Sequence, residues 1–429
     1  MTGKKGLRWG IALTIFAATT INYIDRQALS VAAPVIKEDL SLNNEEYSWI
    51  VTAFLFAYAL MQVLSGSLID LIGTKKGFSL AVIWWSIANM LHALSTGLMS
   101  LGIMRFLLGI GEAANYPAAM KAISEWFPNH EKSKAVGILN MGPGLGAVIA
   151  PPLMVALMLY IGWKAAFVVT GALGFVWLLL WRKQYYKPEQ HPKITEEELQ
   201  LIQQDQDHTE GAERKKWWAY FQYKEVWGLT LSRFVSDGAF YFFVFWLPSY
   251  LMEDREMNLV EIGLFAWIPF LMADAGSIVG GWTGAWFINR GDSLDRSRKK
   301  VIWIGAVCVI PVLFCLYVES AYAAIALISF ALFSTQFKQS SLFTLPIDLF
   351  SEKEAAYVWG MSGSAGSFGA MLFTPLIGWM VENISYTPVF VSVAFLHVLS
   401  AIIVMIFIPQ IRRLDKRQAK IELGAQKYE

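Results

Sequence analysis

Charge, histidine and cysteine are all scarce in this sequence. Only 16% of its 429 residues are charged, against 55% hydrophobic, where soluble domains carry roughly a quarter charged residues. A water-soluble fold of this length would lack the polar surface to cover itself. Net charge is +1, so no global basic field draws nucleic acid. Five histidines and two cysteines give no metal-ligand spacing and no disulfide framework. Cys308 and Cys315 lie seven residues apart in one apolar block, which predicts packing roles on one helix face. An enzyme embedded in a membrane would need a nucleophile–base pair or a metal cluster. His92 and His397 stand isolated in apolar runs, so neither catalysis nor a cofactor is expected.

Long apolar runs are what the sequence does have. Ala135–Tyr160, Ala165–Trp181 and Val301–Tyr317 contain no charge at all, and about 20 mostly apolar residues suffice for a transmembrane helix. Twelve spans are predicted, near 9–30, 48–70, 78–97, 99–122, 135–159, 163–181, 227–251, 261–288, 300–318, 321–349, 357–381 and 386–409. The first has no small-residue cleavage site and reads as a retained span. The expected fold is an all-α membrane protein of two six-helix halves: 1–181, a cytoplasmic linker 182–226, 227–410, and a tail 411–429. Within the linker, Thr195 followed by Glu198 predicts a capping box opening a short surface helix. The polar stretch is too short for a signalling domain, which argues against a sensor.

Basic residues set the orientation. Lys4, Lys5 and Arg8 precede span one; Lys75 and Lys76 follow span two; Lys132 and Lys134 follow span four; Arg182, Lys183 and Lys187 follow span six. Arg296, Arg298, Lys299 and Lys300 follow span eight, and Arg412, Arg413, Lys416 and Arg417 follow span twelve. The opposite loops carry mainly acids, among them Glu38, Asp39, Glu45, Glu46, Glu253 and Asp254. Both termini and the linker are therefore expected on the cytoplasmic side of the membrane. The halves also repeat weakly: Gly146-Ala147 with Pro152-Leu153 matches Gly369-Ala370 with Pro375-Leu376 at a constant spacing of 223 residues, a common transporter plan.

Charges inside spans cost several kcal/mol, so they face a cavity or a partner. Asp25 and Arg26 fall in span one, Arg105 and Glu112 in span four, Arg233 and Asp237 in span seven, Asp274 in span eight, and Lys338 and Asp348 in span ten. Arg105 and Glu112 should share a helix face about 10 Å apart. Arginine presents a planar fork suited to a carboxylate, so Arg26 and Arg105 suit an anionic substrate, and Asp25 and Glu112 suit a travelling proton. The alternative is that the four charges only pair and lock helices. Arg233 and Asp237 are read as a structural i,i+4 pair, and Lys121 as snorkelling to the interface. Asn22, Tyr23, Tyr58, Gln62, Asn115, Asn140, Gln336, Gln339, Trp359 and Ser364 accompany these charges. Together they offer the hydrogen bonds and aromatic faces that a hydroxyl-rich ligand needs.

After span two comes Gly66-Ser-Leu-Ile-Asp70-Leu-Ile-Gly73-Thr-Lys75-Lys76. This resembles the signature loop of the major facilitator superfamily, with Leu71 where a basic residue is usual. Gly66, Asp70, Gly73, Lys75 and Lys76 are the gating and structural positions the resemblance implies. Arg105 with Gly109, and Gly142-Pro143 with Gly146, resemble two further motifs, while the second-half loop, Gly281-Trp-Thr-Gly-Ala285, lacks the aspartate. Asn22-Tyr23-Ile24-Asp25-Arg26 and Arg105 through Glu112-Ala113 resemble the anion:cation symporter branch. Gly111–Ala118, Glu125-Trp126-Phe127-Pro128, Phe245-Trp246-Leu247-Pro248 and Ala273-Asp274 resemble the bacterial hexuronate transporters. The resemblance implies a proton-coupled symporter for glucuronate or galacturonate, with protons and a small organic anion as its partners beside the bilayer, acting as a monomer.

In that reading Tyr23, Arg26, Tyr58, Gln62, Arg105, Asn115, Asn140, Gln336, Trp359 and Ser364 bind substrate, and Asp25 with Glu112 carries the proton. Lys338 departs from the hexuronate pattern. It is open as a second anchor for a dicarboxylate, as a snorkelling residue or as a partner of Asp348, which keeps aldonates, aldarates, other organic anions and sodium coupling as alternatives.

Overall fold

The computed structural model describes residues 6–204 and 217–414, and every described element is helical. Lys4, Lys5, Lys416 and Arg417, with the middle of the linker and most of the tail, lie outside the described residues. The long helices are α1 (Leu7–Asp39), α2 (Asn44–Ile72), α3 (Thr74–Leu91), α4 (Leu98–Glu112) with α5 (Asn115–Trp126), and α6 (Asn129–Gln184). After the short α7 (Glu196–Gln204) come α8 (Lys224–Glu253), α9 (Leu259–Phe265) with α10 (Ile268–Asn289), and α11 (Leu294–Val307). The chain ends in α12 (Ala321–Leu342) with α13 (Leu345–Leu349), α14 (Glu352–Asn383) and α15 (Thr387–Phe407). Eight helical stretches are long and apolar enough on their own to cross a bilayer. One of them, α6, would run roughly 80 Å if straight, far beyond a hydrocarbon core of about 30 Å. It turns at Gly162, whose φ of 78° and ψ of 161° break the helix into two crossings. With α1, α4–α5 and α8, which carry the charged residues of spans one, four and seven, the described residues make twelve crossings.

Local chemistry places the ends. Asn43 and Glu46 close a capping box at the start of α2 (2.8 and 3.0 Å), and Asn258 and Glu261 do the same for α9. Ser293 and Ser320 cap α11 and α12. The expected box at Thr195 is only half made. Thr195 Oγ1 accepts from the Glu198 amide at 3.3 Å, but the Glu198 carboxylate turns away to the start of α1. There it accepts from the Leu7 and Arg8 amides (3.0 and 3.2 Å) and from the Arg8 guanidinium (2.9 Å). The reason is local: Gly6 precedes α1 with no side chain to cap it, and bare helix amides need an acceptor. The shared-face expectation for the cysteines also fails. The α-helix ends at Val307 and a 3₁₀ run, Ile310–Leu316, begins with Pro311 near its start.

The chain forms two compact units, Met1–Glu213 with Val244–Trp267, and Arg214–Phe243 with Ile268–Glu429. In the first unit α1 lies against α6. A Cβ on Gly146 would stand 2.6 Å from the Thr20 carbonyl oxygen and 2.7 Å from Tyr23 Cβ, so only glycine permits this crossing. The end of α8 also belongs to this unit. Tyr47 Oη donates to the Phe245 carbonyl at 2.9 Å, and Lys37 pairs with Glu253. In the second unit α14 lies against α8 in the same manner, with Gly369 on the Phe234 backbone. Its core joins Val226, Leu229, Ile302, Leu342, Leu345 and Val404. Large apolar residues such as Leu179, Ile278 and Trp282 face outward on both units, as lipid contact requires.

Candidate functional site

The costly charges of α1 and α4 gather in the first unit, and all four are buried. Arg26 Nε donates to Glu112 Oε2 at 2.9 Å. The Arg26 guanidinium lies over the rings of Tyr23 and Tyr58, 4.6 Å from each centroid, and 5.3 Å from that of Phe54. Phe54 also stacks with Tyr58 and lies 5.8 Å from the Arg105 guanidinium. Arginine is the cation best suited to this aromatic lining, because its planar head stacks and stays charged. Arg105 Nη2 donates to the Arg26 carbonyl at 3.5 Å, while its Nε and Nη1 are buried without a hydrogen-bond partner among the described residues. Glu112 Oε1 is likewise unpartnered. Glu112 thus finds its partner in Arg26, a helix away.

Asp25 points elsewhere. Asn89 Nδ2 of α3 donates to Asp25 Oδ1 at 2.7 Å and reaches Thr170 Oγ1 of α6 at 2.9 Å. Its neighbours are thus α3 and α6, whereas those of Arg26 are α2 and α4. Asn115 donates to Thr19 at 3.2 Å and keeps Oδ1 buried and unpartnered, as is Gln62 Oε1.

A family model for the Major Facilitator Superfamily matches residues 15–334 and 291–427. The chain belongs to the major facilitator superfamily. A hexuronate transporter of Escherichia coli (strain K12) is 34% identical over 408 residues, 93% of this chain and 94% of that protein. A galacturonate transporter of Dickeya chrysanthemi is 37% identical over 310 residues, 71% of this chain and 90% of that one. Among solved structures, a D-xylose–proton symporter superposes with a TM-score of 0.76, covering 94% of this chain and 98% of that chain; at 14% identity the likeness shows the fold alone. This facilitator is a multi-pass membrane transporter, not an enzyme, and the two relatives above are named for hexuronate and galacturonate.

The remaining expected positions of the facilitator are more scattered. Asn140 is exposed, and Gln336 and Ser364 are half-buried in the second unit. Trp359, also there, meets Phe343 edge-on and lies 5.6 Å from the Arg233 guanidinium. Arg233 pairs with Asp237 at 3.0 Å, the expected i,i+4 contact, and Gln339 Nε2 donates to Asp237 Oδ1 at 3.0 Å. Lys338 neither snorkels nor meets Asp348. Asp348 pairs with Arg298 at 2.9 Å because the helix breaks after Leu342. Lys338 instead turns to His397, so that histidine is not isolated.

In the signature loop, Gly66 is half-buried and Gly73 ends α2, its amide donating to the Ile69 carbonyl at 2.9 Å. Lys121 reaches the exposed Asp70 carboxylate at 2.6 Å. Lys75 lies over the Tyr186 ring; burial and Arg182 hold its amine below the usual range. Lys76 is exposed. Thr74 donates to Glu125 at 2.6 Å, and Tyr185 donates to the same carboxylate. Burial and that neighbour push the Tyr185 phenol up. Sequence reasoning missed Phe54, Asn89 and Thr170. Asn89, a lone amide in an apolar span, carried a readable signal; an aromatic ring in a span carries none.

Proposed function

We propose that this facilitator is a proton-coupled symporter that brings a hexuronate, glucuronate or galacturonate, into the cell by alternating access. The observation that carries the reading is the Arg26–Glu112 pair beside Arg105, whose Nε and Nη1 are buried without partners among the described residues. A sugar-acid carboxylate matches those donors. Glu112 and the substrate compete for Arg26. A proton on Glu112 weakens its charge-assisted bond and frees Arg26 for the incoming anion, which ties loading to protonation. Tyr23, Tyr58, Gln62 and Asn115, with Asn140, Gln336, Trp359 and Ser364, supply contacts to hydroxyls and ring. Asp25, held by Asn89, assists Glu112 in holding the proton. One proton with one monoanion moves no net charge, so the pH gradient drives uptake.

The direction of Lys338, away toward α15, favours a monocarboxylate over an aldarate needing a second anchor. The working topology keeps halves 1–181 and 227–410, joined by the linker, with both termini cytoplasmic, in a bacterial inner membrane and as a monomer.

The test is uptake of labelled galacturonate into proteoliposomes under an inward proton gradient, with Glu112→Gln beside the parent. The expected result is gradient-driven accumulation in the parent and only gradient-independent exchange in the variant. Undiminished accumulation by the variant would remove Glu112 from coupling. No galacturonate uptake by liposomes that exchange an aldonate would overturn the substrate, and a requirement for sodium would overturn the proton.

A further inference from the structure

The second unit holds a buried ionisable pair that the carboxylate site does not use. Lys338 on α12 and His397 on α15 are both fully buried. Lys338 Nζ lies 3.1 Å from His397 Nδ1 and 3.1 Å from Ser400 Oγ, and Ser400 Oγ is 2.7 Å from Ser232 Oγ on α8. Three helices therefore converge on one amine. From α11 the neighbour is Gly305, where a Cβ would stand 2.8 Å from Lys338 Cβ.

The charged surroundings are sparse. Lys338 forms no ion pair among the described residues. The carboxylate that faces it is Asp237 on α8, already paired with Arg233 at 3.0 Å and bound by Gln339. On α11, Arg298, Lys299 and Lys300 have their own partners in Asp348, Asp295 and Asp292. On α10, Gly280 meets Phe337, and Asp274 lies six residues earlier, about 9 Å along the axis. Cys315 meets the Ala324 carbonyl at the far end of α12.

Donor counting makes this arrangement informative. An ammonium brings three N–H groups, and a neutral amine brings two with a lone pair. The site offers two acceptors, His397 Nδ1 and Ser400 Oγ. His397 Nε2, across the ring, is buried without a partner among the described residues. A permanent ammonium here would be an uncompensated charge at membrane depth, which costs several kcal/mol. A permanently neutral amine would be satisfied, but it would leave a lysine where a shorter apolar residue packs as well.

We propose that Lys338 and His397 form a proton-binding site of the second unit, loaded and unloaded separately from Glu112. Unloaded, both groups are neutral and Lys338 donates its two N–H groups to Nδ1 and Ser400. Loading adds one proton from water. The Nζ–Nδ1 hydrogen bond persists, Lys338 holds the extra proton as its third N–H, and Asp237 is the carboxylate that answers the new charge. Gln339, the next residue on α12, is bonded to that same Asp237, so loading is felt at the Arg233–Asp237 pair. The site goes beyond the coupling role given to Glu112 and does not depend on which sugar acid is carried.

The experiment uses the full chain in lipid nanodiscs, free of sugar acids, with nitrogen-labelled lysine side chains observed by NMR. One buried lysine signal is expected to move from the amine to the ammonium position as pH falls across the range in which the protein stays folded. It should be missing in Lys338→Met, displaced in midpoint by His397→Gln, and unchanged in Glu112→Gln. A Lys338 signal that stays ammonium, or stays amine, across the range would overturn the proposal. If Lys338→Met does not fold, His397→Gln decides: an unmoved midpoint removes histidine from the site. Because Glu112→Gln tests symport in the uptake assay and leaves this titration intact, the two readings fail separately.

Discussion

A single step along α1 separates Asp25 from Arg26, yet they serve different neighbourhoods. Successive helix positions differ by about 100°, enough to aim one at Asn89 on α3 and the other at Glu112 on α4. The four charges could be picked out from sequence because burying charge in a span is costly. Their partners could not, because pairing depends on which helix faces which. Phe54, which lies near both arginines, is neutral in an apolar span and leaves no trace in composition. Arg105 gives the sharpest prediction at this scale. Arg105→Lys keeps the charge and loses the fork, so the KM for uptake should rise at least about tenfold, roughly 1.4 kcal/mol, while the melting temperature stays close to the parent's. An unchanged KM would mean that Arg105 does not clamp a carboxylate.

At the scale of elements, the linker helix α7 was foreseeable from Thr195, but its main contact was not. Glu198 serves as the cap of another helix, α1, which begins after a glycine. Arg8 ties the same corner to α6, donating to Glu131 at 2.7 Å. That hydrogen bond holds the Glu131 carboxyl below the usual 4.5. The sign follows from linkage: a depressed carboxyl contributes stability that is complete above its unfolded value and is lost as pH falls through the folded one. The melting-temperature gap between parent and Arg8→Met should thus be full at neutral pH and shrink below the usual glutamate range. A gap that grows on acidification would contradict the pair. Gly146 offers a second prediction. In Gly146→Ala the new methyl meets Thr20 and Tyr23, so the crossing of α1 and α6 must open. Overpacking of this kind costs about 1–3 kcal/mol, read as a lowered melting temperature, with weakened substrate affinity because Tyr23 is displaced from Arg26.

For the whole molecule, the twelve crossings were readable because each needs its own apolar run, and the one long polar stretch divides them. The weak repeat was readable too, and it has a structural meaning. Gly146 seats α6 on α1, and Gly369 seats α14 on α8, so matching glycines serve matching crossings. Composition could not show that residues 244–267 pack with the first unit, since apolar helices look alike until their faces meet. Nor could it show that Lys338, an oddity in its span, answers to a histidine 59 residues away.

The bend at Gly162 has a consequence for how the chain is made. One residue in an unusual backbone state is the entire corner between two crossings. No loop exists to be parked outside while the ribosome finishes the next segment. So short a corner favours release of the two halves of α6 into lipid as one hairpin.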